Sequence, residues 1–116
     1  MRLFVALDLP EHAVRYVEDV QQRLRREAQA DRWQSLHNLH LTLHFLGEVE
    51  EALLPAIFED LDIVSAIMKP FSLRTGEFGA FPNAHRPRVL WLGLRGHTRE
   101  LQQLHQLLGT RFERRA

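Results

Sequence analysis

The hydrophobic positions of this chain follow two rhythms that alternate along its length. Residues 2–8 form a short, mostly apolar run of strand length. From Glu11 the apolar residues recur at Ala13, Val14, Val17, Val20, Leu24 and Ala28, and steps of three and four predict an amphipathic helix to about Gln29. Pro10 is tolerated at its first turn, where the N–H has no helical partner. Leu53, Leu54, Ile57, Leu61, Val64 and Met68 predict a second helix that starts close to Glu51, because Pro55 must lie in or near its first turn. Leu101, Leu104, Leu108 and Phe112 predict a third, with Thr98 as N-cap. Gly109 inside that helix costs it about 1 kcal/mol relative to alanine. Between the helices, residues 32–35, 39–46, 71–78 and 89–94 read as strands, and residues 81–87, with two prolines and an asparagine, as a loop.

The order is strand, helix, strand pair, helix, strand pair, helix. Short connections between neighbouring strands favour antiparallel pairing, so the predicted class is α+β rather than a parallel α/β sheet. A length of 116 residues is one domain's worth, and a hydrophobic fraction of 45% supports an ordinary core and excludes disorder as the main state. No apolar run approaches the roughly 18–20 residues of a membrane span, and the apolar stretch at the N-terminus is too short for a secretory signal. The absence of cysteine removes disulfides, thiol nucleophiles, iron–sulfur clusters and cysteine-bound zinc, and fits a cytoplasmic protein.

Fifteen basic residues balance fifteen acidic ones, which argues against a general polyelectrolyte binder of nucleic acid; an anionic ligand has to be held locally. The charges are segregated. Between residues 48 and 62 lie Glu48, Glu50, Glu51, Glu59, Asp60 and Asp62 and no lysine or arginine, a run that reads as a solvated face, with Asp60 and Asp62 at the surface. Between residues 78 and 99 lie Arg86, Arg88, Arg95 and Arg99 and no acid. Arginine suits forked contact with phosphate.

The stretch that carries chemistry is Asn38-Leu39-His40-Leu41-Thr42-Leu43-His44-Phe45-Leu46-Gly47. With a period of two, Leu39, Leu41, Leu43 and Phe45 share one face, expected to seek a core, and His40, Thr42 and His44 share the other, expected to face water or a cleft. Two residues of strand rise set His40 and Thr42 about 6–7 Å apart, a spacing that suits two side chains gripping one tetrahedral phosphate. The imidazole can exchange a proton near neutral pH and the hydroxyl can donate to a phosphoryl oxygen. The same pattern is also that of a half-buried strand with a polar outer face, and His37, His40 and His44 would share a face if the stretch were helical and bound metal. No nucleophile elbow, Walker-type phosphate loop or dinucleotide fingerprint is present.

The chain resembles the RNA 2′,3′-cyclic phosphodiesterases, or 2′-5′ RNA ligase-like proteins, of the 2H phosphoesterase superfamily. The resemblance rests on four blocks in family order: Arg2 to Pro10; Asn38 to Leu43 with Phe45-Leu46-Gly47-Glu48-Val49; Phe78-Gly79-Ala80-Phe81-Pro82; and Arg86-Pro87-Arg88-Val89-Leu90-Trp91-Leu92-Gly93. It implies a two-lobed α+β fold of antiparallel sheets with outer helices, each lobe supplying one His-x-Thr-x motif. The implied reaction is hydrolysis of a terminal 2′,3′-cyclic phosphate on an RNA end to a 2′-phosphate, by histidine acid–base catalysis without metal or other cofactor. His40 matches the proton donor to the leaving 3′-oxygen, Thr42 the phosphate contact, and His44 and Arg88 become candidate substrate contacts. The implied partner is an RNA end or nucleotide with a 2′,3′-cyclic phosphate, with no membrane.

The family pattern places a second His-x-Thr-x motif, carrying the water-activating histidine, after the third helix, whereas this sequence ends at Ala116 and holds one such motif. Residues 1–116 are therefore expected to form a single, C-terminally incomplete 2H phosphoesterase-like domain with little hydrolase activity of its own. Its alternative expectation is a remnant that at most binds phosphate or RNA ends.

Overall fold

The structure is a computed structural model that describes residues 1–27, 39–81 and 89–115, with backbone alone at 79–81 and 89–91. Strand β1 (Arg2–Asp8) leads into helix α1 (Glu11–Glu27), strand β2 (His40–Glu48), a 3-10 turn (Glu51–Leu53) and helix α2 (Leu54–Ile67). Strands β3 (Leu73–Phe81) and β4 (Val89–Gly96) and helix α3 (Thr98–Glu113) follow. β1 pairs with β2 and β3 with β4, in two separate two-stranded sheets. The class is α+β, as the periodicities predict. The strand expected at 32–35, the last turn expected for α1 and most of the loop at 81–87 lie outside the described residues; Phe81 itself ends β3. Among the described residues, no helix is long and apolar enough to cross a membrane.

The chain divides into two compact units, and the boundary runs through β1 and β2. The first comprises Met1–Ala6, Thr42–Leu73 and Gly96–Ala116. Here β1 and β2 run antiparallel: the Val49 N–H donates to the Met1 carbonyl at 2.8 Å, and the Met1 ammonium donates back to the Val49 carbonyl at 3.1 Å. Gly47, near the end of β2, has φ of 71° with open space around it, so the left-handed backbone rather than crowding selects glycine there.

α2 and α3 pack on one another in this unit, with Ile57, Val64 and Leu108 buried. Pro55 sits in the first turn of α2, as its missing N–H requires. Asp60 is not at the surface. It is fully buried, and the spacing Ile57-Asp60-Val64 puts it on the packed stripe of α2. Asp62, one residue beyond the next turn position, is exposed as predicted.

α3 begins at Thr98, but its N-cap is His97, whose side chain makes no cap hydrogen bond. Instead the His97 Nδ1 accepts from the Ser72 N–H at 3.0 Å, and the His97 N–H donates to the Ser72 carbonyl at 2.9 Å. The start of α3 is thus fixed by the segment that precedes β3, a partner 25 residues away that no local capping rule includes.

The second unit comprises Leu7–Leu41 and Arg74–Arg95. α1 buries Val20, carries Glu11 in its first turn and Arg25 and Arg26 in its last, the order that suits the helix dipole, and pairs Arg15 with Glu11 at 2.6 Å one turn apart. Arg95 of β4 reaches Glu77 of β3 at 3.3 Å. Both pairs are solvent-exposed and contribute little.

Candidate functional site

β2 places His40, Thr42 and His44 on one face, because alternate side chains of an extended strand point the same way. All three are half-buried. The two-residue rise puts consecutive members about 6–7 Å apart. The row is therefore a strand surface bearing an imidazole and a hydroxyl at phosphate-gripping separation.

The face carrying Phe45 does not find a core at that end. Phe45 is 81% exposed and Phe4 51% exposed, their rings 6.3 Å apart. On the opposite face it is His44 that α3 contacts. The His44 ring stacks on the His105 ring at 4.1 Å with the planes 11° apart, and the edge of Phe112 meets it at 5.7 Å. His44 Nε2 lies 2.8 Å from the His105 carbonyl oxygen, which can only accept, so Nε2 carries the proton and donates. The expected division into an apolar core face and a wet polar face fails here because imidazole packs as a flat ring while still using its N–H. His44, expected beside the substrate, has that N–H committed to α3. Arg88, the other candidate contact, lies outside the described residues, as does His37 of the metal-binding alternative. Among the described residues, no three histidine, aspartate or glutamate side chains gather in a way that could hold a metal ion.

The cluster that local patterning misses is centred on Asp60. Its Oδ1 accepts from Arg111 Nε at 2.9 Å and Arg115 Nη2 at 2.9 Å, and its Oδ2 from Arg115 Nε at 3.1 Å. The hydrogen bonds from Arg115 hold the carboxyl below the usual carboxylate range; desolvation opposes them and the hydrogen bond from Arg111 adds to them. In return, Asp60 raises the Arg115 pKa. A carboxylate so saturated with donors is a poor proton acceptor and serves to join α2 to α3. The signal that could have found it is the i, i+3, i+7 spacing of Ile57, Asp60 and Val64, which overrides the reading of the acidic run as solvated.

A strand-borne histidine and threonine on an antiparallel α+β scaffold is an arrangement fit to bind and protonate a phosphate ester. The sequence pattern of the LigT-like phosphoesterases matches residues 7–91, which take in His40 and Thr42, and the chain belongs to that family. It is 35% identical over 108 residues to the RNA 2′,3′-cyclic phosphodiesterase of Thermotoga maritima, covering 93% of this chain and 57% of that protein. Among solved structures, a phosphoesterase superposes with a TM-score of 0.70 at 32% identity over 97% of this chain and 63% of its own. Escherichia coli LigT, solved with ATP, superposes with a TM-score of 0.67 at 34% identity over 97% and 64%. The chain thus spans little more than half the length of the Thermotoga relative.

Proposed function

We propose that this chain carries the proton-donating half of an RNA 2′,3′-cyclic phosphodiesterase. The observation that supports the reading best is the His40–Thr42 row on β2 in a chain of the LigT-like phosphoesterase family. In this reading Thr42 donates its hydroxyl to a non-bridging oxygen of the cyclic phosphate. Water attacks phosphorus, the P–O3′ bond breaks, and the His40 imidazolium passes its proton to the departing 3′-oxygen, leaving a 2′-phosphate and a 3′-hydroxyl. The proton lost by the attacking water needs a base, and the sequence contains one His-x-Thr-x motif. Each member of an acid–base pair contributes roughly 10²–10⁴-fold, so residues 1–116 assayed alone are expected to bind the phosphate end and turn it over slowly. The neutral chain without cysteine fits action on RNA ends in the cytoplasm.

The test is an assay of the purified chain on an oligonucleotide ending in a 2′,3′-cyclic phosphate, with binding of the 2′-phosphorylated product measured in parallel. The expected result is product binding that weakens in Thr42→Ala, with turnover at least 100-fold below that of a full-length relative. Turnover equal to the relative's, abolished by His40→Ala, would overturn the half-site reading. Binding unaffected by His40→Ala and Thr42→Ala would overturn the phosphate reading itself.

A further inference from the structure

Three residues of α3 form a seat for one side chain of β2. His105, Gly109 and Phe112 fall at i, i+4 and i+7, a single stripe of the helix. The His44 ring lies in that stripe: stacked on His105, edged by Phe112, and pressed against Gly109 so closely that a Cβ there would come within 3.1 Å of His44 Cε1 and 3.5 Å of Nε2. Glycine is among the poorest helix formers, and it stands mid-helix where this ring needs the space. The His44 Nε2–H then closes on the His105 carbonyl at 2.8 Å. That carbonyl belongs to the helix backbone, so the bond ties strand to helix axis rather than side chain to side chain.

We propose that His44 is a positioning residue that clamps β2 to α3 and thereby sets where the Thr42 hydroxyl, two residues along the same strand face, meets phosphate. The proposal rests on the phosphate reading above and assigns His44 a role beside the site rather than contact with substrate. Notch and hydrogen bond fix the strand in two different ways: the open space at Gly109 lets it approach α3, and the N–H sets its register along the helix. A shift of about 1 Å in a positioning group is enough to lower ligand affinity or rate by an order of magnitude or more.

Three variants separate the parts. His44→Phe keeps a flat ring and removes the donor. His44→Gln removes the ring and keeps an N–H able to reach the His105 carbonyl. Gly109→Ala fills the notch and presses on the His44 ring while leaving the β2 sequence unchanged. Adenosine 2′-monophosphate is titrated into each 116-residue chain, with affinity and the Thr42 amide and methyl signals followed by NMR and thermal stability measured separately. The expected result is about tenfold weaker binding in His44→Phe and Gly109→Ala, with His44→Gln retaining affinity to within about threefold. In the wild-type chain the His44 Nε2–H proton signal should stay in place as the nucleotide binds. Loss of thermal stability with unchanged affinity in both His44→Phe and Gly109→Ala would reduce the seat to packing and overturn the proposal. A large shift of the His44 Nε2–H signal on titration would make His44 a direct contact and overturn it equally. If the wild-type chain binds no nucleotide, the phosphate reading fails by itself. The clamp is then judged by the Thr42 methyl signal, which must move in Gly109→Ala and His44→Phe and stay near its wild-type position in His44→Gln; a signal that stays put in all three overturns it.

Discussion

Asp60 shows how one side chain inverts the meaning of the sequence around it. Its neighbours Glu59 and Asp62 are exposed, yet its own carboxylate is sealed between α2 and α3 with three guanidinium N–H donors on it. Breaking a buried pair by removing one partner costs about 3–5 kcal/mol; here both arginines keep roughly a third of their side chains in water, which lowers the figure for Asp60→Ala to about 2–3 kcal/mol. The same cluster sets an acid limit. Because the folded carboxyl has a pKa below its ordinary 3.8, the unfolded chain takes up the proton first as pH falls. The stabilisation is therefore complete above the ordinary value, at about pH 5 and higher, and is lost as pH drops below about 4 toward the folded pKa. Urea unfolding at pH 7, 4 and 3 should show the gap between wild type and Asp60→Asn narrowing as the solution becomes more acidic. A gap that stays constant down to pH 3 would mean that the carboxylate charge is not what holds the helices together.

At the scale of elements, periodicity alone was enough to locate all three helices and the strands that fall among the described residues, because the spacing of apolar positions differs between helix and strand. What it could not supply is which element covers which face. The row Leu39, Leu41, Leu43, Phe45 is apolar and was expected to be the packed side, yet α3 lies on the His44 side, since a histidine ring with a carbonyl to donate to packs as readily as a phenylalanine. The start of α3 was misread for the same reason: Thr98 satisfies the local rule for an N-cap, but His97 takes the position because its backbone and ring together bind Ser72. His40 and Thr42 were legible as a candidate site since their spacing and alternation are local properties of one strand. The Ser72–His97 pairing makes its own prediction. His97→Ala leaves the Ser72 N–H without its acceptor and should cost about 1 kcal/mol, the net worth of an ordinary hydrogen bond. His97→Asn, which keeps an oxygen acceptor close to the place of Nδ1, should recover most of it. Hydrogen exchange at the Ser72 amide checks this directly: faster exchange in the alanine variant and near wild-type exchange in the asparagine variant are expected, and equal exchange in all three would show the bond to be idle.

At the scale of the whole 116-residue chain, the balance of fifteen basic and fifteen acidic residues constrains how it would hold RNA in the proposed reading. A protein that follows the phosphate backbone with many cations releases many counterions, and its affinity falls steeply with salt, with a slope near −0.9 for each phosphate neutralised on a duplex and about −0.7 on a single strand. This chain has no net charge to draw a polyanion, and in the proposed reading the row on β2 offers an imidazole and a hydroxyl to one phosphate. Recognition should therefore concentrate on the terminal phosphate and ignore the length of RNA behind it. Titrating a 2′-phosphorylated dinucleotide and a 2′-phosphorylated decanucleotide at salt concentrations from 50 to 200 mM should give the two affinities within about threefold of each other and a slope of log K against log salt of about −0.7 for both. A decanucleotide that binds far more tightly, with a slope several times steeper, would place the main contact along the strand and not at its end. It would move attention from His40 and Thr42 to the arginines between residues 78 and 99.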